Sequence, residues 1–127
     1  MDQTGLNMLE NLVELSIVSN YQIVSINNLK KLEKLKIVGR GIDQNGIREL
    51  RNLRILNISS NSQITSVNHL TMLHTLKIYG GCGITQDGIS ELRDLIELHV
   101  GTNSKITSVN HLLELQKLST NSNSVIY

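Results

Sequence analysis

The stretch Ile-Thr-Ser-Val-Asn-His-Leu occupies positions 64–70 and returns letter for letter at positions 106–112. Two identical runs of seven residues, 42 positions apart in a chain of 127, identify an internal repeat. The residues before each run also recur, because the pattern L-x-x-L-x-[I/V]-x-x-N begins at Leu53 before the first run and at Leu95 before the second. We therefore expect a fold built from repeated units.

One leucine per unit marks the register of the repeat, at intervals of 20 to 22 residues. These leucines are Leu12, Leu32, Leu53, Leu73, Leu95 and Leu115. The first five open L-x-x-L-x-[I/V], and the sixth copy breaks at Thr120. Because apolar residues alternate at the end of this pattern, each copy predicts a short strand with one buried face. Stacked copies predict a parallel sheet within a single domain over 1–127, with a half repeat at 1–11, repeats from 12, 32, 53, 73 and 95, and a partial repeat from 115.

Two kinds of return segment alternate between the predicted strands. In the first kind the apolar residues are three apart, as in Ile64, Val67 and Leu70, and this spacing predicts a 3₁₀ turn or an extended arch. The second kind contains G-I-x-x-x-G-I-x-x-L, where Asp43 or Thr85 is placed to cap a helix of one or two turns. Residues 2–9 match the second kind, so a pair of turns of 41–42 residues is the full unit.

The pattern L-x-x-L-x-[L/I]-x-x-N is similar to the signature of leucine-rich repeat proteins over essentially the whole chain. The first-kind turns resemble those of internalins and phosphatase-regulatory leucine-rich proteins. The alternation with the glycine-containing turn, preceded by Cys82, resembles repeat arrays of giant DNA viruses and some protists. The resemblance implies an α/β fold: a right-handed solenoid, shaped as an arc or horseshoe, with a parallel β-sheet on the concave face and short 3₁₀ or α turns on the convex face.

The resemblance also implies a ladder of asparagines, whose side chains satisfy backbone groups of the loop after each strand. The matching residues are Asn20, Asn61, Asn103 and Asn123. The second-kind turns depart from this pattern, with Arg40 and Gly81-Cys82 at the same corner. A ladder confined to alternate turns is therefore the expectation.

Composition and charge narrow the classes of function. The net charge is +1, so no strong field draws the chain to nucleic acid or to acidic membranes, and neither is expected as a partner. The single cysteine, the absence of a signal peptide and the absence of a long apolar stretch favour a cytoplasmic location, in a host cell if the source is viral. The chain has no Phe and no Trp, which agrees with a thin core of Leu, Ile and Val layers.

No group of residues predicts an active site or a cofactor. His69 and His111 occupy the same place in the two identical runs, about 10 Å apart for strands ~4.8 Å apart, and this distance is too wide for one metal ion. They are expected to be solvated residues of the convex face. Cys82 is expected to be a small buried corner residue rather than a nucleophile. The chain is therefore predicted not to be an enzyme, and no metal site or cofactor is predicted.

The remaining candidate site is the concave face, where the x residues of each strand form columns. A mildly basic patch around one tyrosine is predicted to bind a protein partner, with Tyr as a typical anchor. Its residues are Lys36, Asn57, Lys77, Tyr79 and His99. An ordinary polar face without a partner is the alternative explanation of these residues. The alternative function is a self-associating scaffold that stacks through uncapped ends, forming a homo-oligomer through the N-terminal edge strand.

Overall fold

The computed structural model describes residues 1–102 and 104–120, and within these ranges six strands form one parallel sheet. Each strand pairs with the next one along the chain. The strands are β1 (Glu14–Val18), β2 (Lys34–Val38), β3 (Ile55–Ser59), β4 (Thr75–Tyr79), β5 (Glu97–Val100) and β6 (Lys117–Thr120). A short helix, α1 (Gln3–Asn7), precedes the sheet, and 3₁₀ turns follow β2 (Gln44–Ile47) and β4 (Asp87–Ile89). The predicted repeat solenoid with a parallel sheet is confirmed.

The register of the sheet keeps equivalent repeat positions side by side. Leu15 pairs with Leu35, and the same row continues without a shift to Leu118. This row and the row of Ile and Val two residues later face the core, because alternate residues of a strand point to opposite faces. The leucines that mark the repeat are buried in the inner layers, whereas Leu12 and Leu115 in the outer layers are only partly buried.

The first-kind return segments contain no helix among the described residues. Leu29 N–H donates to Ile26 O at 3.0 Å, and Leu70 N–H donates to Val67 O at the same distance. These single tight bonds lie in otherwise extended chain, as the three-residue spacing predicted. Ile23, Ile26 and Leu29 are all buried, as are their equivalents in the next first-kind segment.

The second-kind segments after β2 and β4 each form one 3₁₀ turn, the short end of the one or two helical turns that were expected, and α1 is an α-helix of five residues. Asp43 Oδ1 accepts from Gly46 N–H at 3.1 Å, and Thr85 Oγ1 accepts from Gly88 N–H at 3.1 Å, so both predicted capping residues do cap. Both turns pack closely against the preceding layer. A Cβ at Gly46 would lie 2.4 Å from Val24 O, and one at Gly88 would lie 2.1 Å from Thr65 O.

A column of glutamines joins each second-kind segment to the following first-kind segment. Gln44 Nε2 donates to Ser66 O at 2.8 Å, while Gln44 Oε1 accepts from Thr65 and Ser66 N–H at 3.0 Å each. Gln3 makes the same three bonds one unit earlier, with Val24 and Ser25. Gln86 makes them one unit later with residues 107 and 108. Each amide group thus satisfies three backbone groups of the neighbouring layer.

A column of asparagines makes the opposite kind of junction, from a first-kind segment to the following second-kind segment. Asn27 Nδ2 donates to Asn45 O at 2.8 Å, and its Oδ1 accepts from Glu49 N–H at 2.9 Å. Asn68 repeats the pattern with Asp87 O and Glu91 N–H. The two columns therefore hold the layers together on the side opposite the sheet. No helix in the described part of the chain is long and apolar enough to cross a membrane.

Candidate functional site

The outward side chains of the six strands share one surface, which we call the open face. The sheet register aligns them in columns, and adjacent strands of a sheet lie ~4.8 Å apart. The first column contains Glu14, Lys34, Ile55, Thr75, Glu97 and Lys117, and the second contains Ser16, Lys36, Asn57, Lys77, His99 and Ser119. Val18, Val38, Ser59 and Tyr79 form a third column. These columns follow the repeat register.

Four of the five predicted binding residues are consecutive members of the second column. Lys36 pairs with Asn57, Asn57 with Lys77, and Lys77 with His99. Tyr79 lies two residues after Lys77 on β4 and is 38% exposed. Lys36 is exposed, whereas Asn57, Lys77 and His99 are half-buried between their neighbours. The sheet therefore brings all five side chains to the centre of one surface.

Glu97, which was not among the predicted site residues, contacts two basic side chains on one side of the open face. Glu97 Oε1 lies 3.0 Å from Lys117 Nζ and 3.1 Å from His99 Nε2. The hydrogen bond from Lys117 and the contact with His99 lower the pKa of Glu97 from 4.5 to about 2. The sequence contained the information to predict this cluster. Glu97 and His99 are two residues apart on one strand, and the repeat register places Lys117 opposite Glu97 on the next strand.

His99 reaches its carboxylate partner at a poor angle for a hydrogen bond. Its Nε2 is buried and, among the described residues, has no acceptor in good hydrogen-bond geometry. At 3.1 Å from Glu97 Oε1, the ring nitrogen therefore contacts the carboxylate without a well-formed hydrogen bond.

Two shallow depressions divide the open face. One, of about 250 Å³, is lined by Tyr79, His99, Gly101 and Ser119 among others. The other, of about 300 Å³, lies toward β1 and is lined by Lys34, Lys36, Ile55 and Asn57 with neighbouring strand residues. The tyrosine ring packs directly over Gly101, where an added Cβ would lie 2.9 Å from Tyr79 Cδ1.

The two histidines of the identical runs are not solvated side chains, contrary to expectation. His69 Nε2 lies 2.9 Å from Ile47 O, and His111 Nε2 lies 3.0 Å from Ile89 O, so each ring nitrogen donates to a carbonyl of an earlier second-kind turn. Both residues are half-buried, and burial lowers the pKa of His69. Stacking of the layers, which a single repeat does not reveal, supplies these acceptors.

The predicted ladder residues are only partly covered by the described structure. Asn61 is fully buried; its Nδ2 donates to Gly39 O at 3.1 Å and to Ile42 O at 3.0 Å. Its Oδ1 accepts from the N–H groups of residues 63 and 64 at 2.9 and 3.0 Å. Asn20 Nδ2 donates to Met1 O at 3.0 Å, and its Oδ1 accepts from Gln22 N–H. Asn103 and Asn123 lie outside the described residues, so the ladder over four positions stays a prediction.

The described residues contain no cluster of three His, Cys, Asp or Glu side chains that could hold a metal ion. Cys82 is buried at the corner of a second-kind turn, as expected, and burial raises the pKa of its thiol. In comparisons with known proteins, no protein-family model matches the sequence, and no curated protein is significantly similar to it.

Proposed function

We propose that this chain is a non-catalytic protein-binding module and that its partner lies on the open face of the sheet. The observation that carries the proposal is the alignment of Lys36, Asn57, Lys77 and His99 in one column beside Tyr79. None of these five side chains belongs to the hydrophobic core. They combine a central aromatic ring with cationic and amide groups, which is the composition of protein interfaces.

We also infer that the fold is a right-handed leucine-rich repeat solenoid. The open face is then the concave side of its arc. A concave surface lets side chains from several strands contact one partner together. The fully buried Asn61, which bonds backbone groups on both sides of its corner, supports this assignment.

The charge of the open face favours a partner that is acidic at its centre. The negative charge of Glu97 is already paired with Lys117. By contrast, Lys36 and Lys77 have no salt bridge to a carboxylate among the described residues. An acidic segment placed along the second column would pair with both ammonium groups. Complementary charges of this kind raise the association rate and the specificity of binding.

A quantitative capture experiment tests the proposed site. The immobilised chain is exposed to lysate, and bound proteins are compared among the wild type, Tyr79→Ala, a Lys36→Ser/Lys77→Ser double variant and His111→Ala. A specific partner should be lost with the first two changes and retained with the third, because His111 lies in a return segment away from the open face. Equal loss with all variants, or a stronger loss with His111→Ala, would contradict the proposed face.

A second candidate function is self-association, and a specific surface favours it. A depression of about 360 Å³ beside β1 is lined mainly by apolar residues of α1, β1 and the segments around them, including Leu6, Leu9, Leu12 and Ile17. Edge strands with free backbone groups are templates for pairing with another chain. β1 is such a strand, since in the described part of the chain it pairs with β2 on one side and with no strand on the other.

A further inference from the structure

We propose that the partner of the open face contributes an acidic, extended protein segment that lies along β2, over a band of basic side chains. We define the basic band as Lys30, Lys34, Lys36, Arg51 and Arg54. The inference rests on the proposed function and deepens it, because it gives the chemistry of the partner and extends its contact surface. Lys36 belongs both to the band and to the proposed site.

The charged residues are unevenly distributed along the chain, although the net charge is only +1. Residues 30–54 contain eight of the twelve Lys and Arg side chains and three of the eleven Asp and Glu side chains. This segment therefore carries a charge of +5, and the rest of the chain carries −4. A local excess of one sign attracts an oppositely charged partner even when the whole chain is close to neutral.

The fold gathers the basic band where two adjacent strands begin. Lys34 and Lys36 are the first and third residues of β2, and both are exposed on the open face. Lys30 and Arg51 occupy equivalent repeat positions in the segments that lead into β2 and β3, and both are exposed. These segments are in contact, since Asn52 Nδ2 donates to Lys30 O at 2.9 Å. The five cations are thus brought together by stacking of two layers.

The cations of the band are available to a partner. Arg54 pairs with Glu33 at 3.5 Å, and the other four have no salt bridge to a carboxylate in the described part of the chain. Arg51 Nη1 donates to two backbone carbonyl groups, which leave its charge unpaired. The side chains of Arg54 and Glu33 are 44% and 46% exposed. Such an exposed pair contributes little to stability, so Arg54 can exchange Glu33 for a carboxylate of the partner.

The spacing of the two open-face lysines favours an extended segment. Alternate residues of a strand point to the same side and lie about 6.6 Å apart, so Lys34 and Lys36 present their side chains at this interval. An extended segment of a partner presents its own alternate side chains at the same interval. A segment with Asp or Glu at every second position therefore meets both lysines at once.

A shallow depression beside these lysines adds an apolar contact. The depression toward β1, of about 300 Å³, is lined by Ile55 and Asn57 as well as by Lys34 and Lys36. Ile55 is half-buried and is the one apolar side chain of its column. A partner segment with one apolar side chain among its acidic ones would bury that side chain against Ile55. Acidic and apolar groups together are the chemistry of a protein segment.

A nucleic acid fits the same surface less well. Proteins bind single strands by stacking bases on aromatic rings, and they bind duplexes through many phosphate contacts. Tyr21 follows β1 and Tyr79 is the last residue of β4, whereas the basic band lies where β2 and β3 begin. Glu14 pairs in register with Lys34, so an acidic side chain borders the band. A narrow band with an acidic border favours a single acidic segment of a protein.

The first experiment measures the binding of a defined peptide by fluorescence anisotropy. The peptide has alternating Glu and Ser with Leu in place of the central Glu, and its control has Gln in place of every Glu. The chain should bind the acidic peptide with an affinity that falls as salt is added, and should bind the control at least about tenfold more weakly. Equal binding of the two peptides, or binding of neither, would overturn the proposal.

Variants of the chain locate the surface that binds the peptide. Lys34→Gln/Arg51→Gln removes two charges of the band and leaves the five residues of the proposed site unchanged. It should weaken binding of the acidic peptide roughly five- to thirtyfold. Both side chains are exposed, so the melting temperature should equal that of the wild type.

The matched control removes the same charge outside the band. Arg93→Gln/Lys105→Gln changes two exposed cations, and Arg93 occupies the repeat position of Arg51. This variant should change the affinity by less than about twofold. Equal weakening by the two double variants would show that only the total charge matters, which would overturn the basic band.

A double-mutant cycle tests the apolar contact. Replacement of the peptide Leu by Ser and the change Ile55→Ser should each weaken binding. Together they should weaken it no more than the larger single effect, because they remove the same contact. Thr75→Ser, in the same column on the next strand, is the control and should leave the effect of the peptide Leu unchanged. Fully additive losses would contradict the predicted contact with Ile55.

Further outcomes separate this inference from the proposed function. Tighter binding of a single-stranded oligothymidylate than of the acidic peptide would assign the band to nucleic acid and overturn the protein segment. In the capture experiment, a partner that is lost with Tyr79→Ala but retained with Lys34→Gln/Arg51→Gln would overturn the band and leave the proposed function intact. A partner that is lost with the double variant but retained with Tyr79→Ala would support the band and overturn the site around Tyr79.

Discussion

At the scale of single residues, the strongest constraints fall on polar groups that bond the backbone of a neighbouring layer. Asn61 is the clearest example, because it is fully buried and uses both donors and its carbonyl oxygen on four backbone groups. A buried backbone group without a partner costs more than the bond itself contributes, so such a side chain is hard to replace. Glu97 shows a second kind of constraint, in which the neighbouring ammonium group of Lys117 holds the carboxylate in its charged form.

Replacement of Asn61 by alanine should lower the free energy of unfolding by about 3–5 kcal/mol, since two carbonyls and two N–H groups lose their partner in a closed corner. The measurement is urea denaturation followed by circular dichroism. Ser62→Ala, at an exposed neighbouring position, is the control and should change the stability by less than about 0.5 kcal/mol. A loss at Asn61 no larger than that of the control would show that water replaces the amide.

Glu97 should contribute to stability in a defined pH range. Its pKa in the folded chain is about 2, below the ordinary value of 4.5, so its contribution is complete above about 4.5 and is lost as the pH falls toward 2. Glu97→Gln should therefore flatten the acid side of the stability profile. Lys117→Gln should raise the pKa of Glu97, measured from its carboxyl carbon shift by NMR. An unchanged midpoint in that variant would assign the low pKa to another cause.

At the scale of elements, the sequence predicted the strands and their register, because alternating Leu and Ile at a constant repeat position leave one arrangement that buries them all. It also predicted Asp43 and Thr85 as capping residues, a local property. The glutamine bonds were missed, although Gln3, Gln44 and Gln86 recur at one repeat position. A glutamine in a polar turn is usually exposed, and only stacking supplies its partners. The same reason explains the half-buried state of His69.

Gly88→Ala should test how tightly the second-kind turn packs on the preceding layer. The added Cβ would lie 2.1 Å from Thr65 O, and relief of this contact requires the layers to separate. We expect a loss of stability of roughly 1–3 kcal/mol. The matched control is Gly5→Ala, at the equivalent position of α1, which has no such contact in the monomer. Similar thermal unfolding of the two variants would mean that the turn shifts freely.

At the scale of the whole molecule, the layers of a repeat solenoid contact their nearest neighbours, so its stability is approximately a sum of nearest-neighbour terms. The sheet follows this rule, since within residues 1–102 and 104–120 each strand pairs with the strands next to it in sequence and with no other. The inner layers are covered on both sides. In β6, by contrast, all four residues are exposed.

Hydrogen exchange should therefore show a gradient of protection along the solenoid. Amides of β3 and β4 should exchange slowest, and those of β6 should exchange fastest among the strands, because local opening needs fewer contacts to break there. Exchange followed by mass spectrometry at low protein concentration would measure the gradient. Equal protection in all strands would indicate that the domain opens only as one cooperative unit.

The glutamine column has a consequence for how the length of such a protein changes. The three backbone bonds of Gln44 and its equivalents need only the main chain of the next first-kind segment, so a first-kind segment that keeps the same apolar positions should fit any second-kind segment. Excision of the 42 residues from Gln44 to Thr85 would join Asp43 to Gln86 and recreate an existing junction. The shortened chain should fold with four strands and a lower melting temperature, measurable by calorimetry. Gene segments of this length then encode equivalent units, and an array of this kind can lengthen or shorten by recombination while its glutamine-to-backbone bonds are preserved.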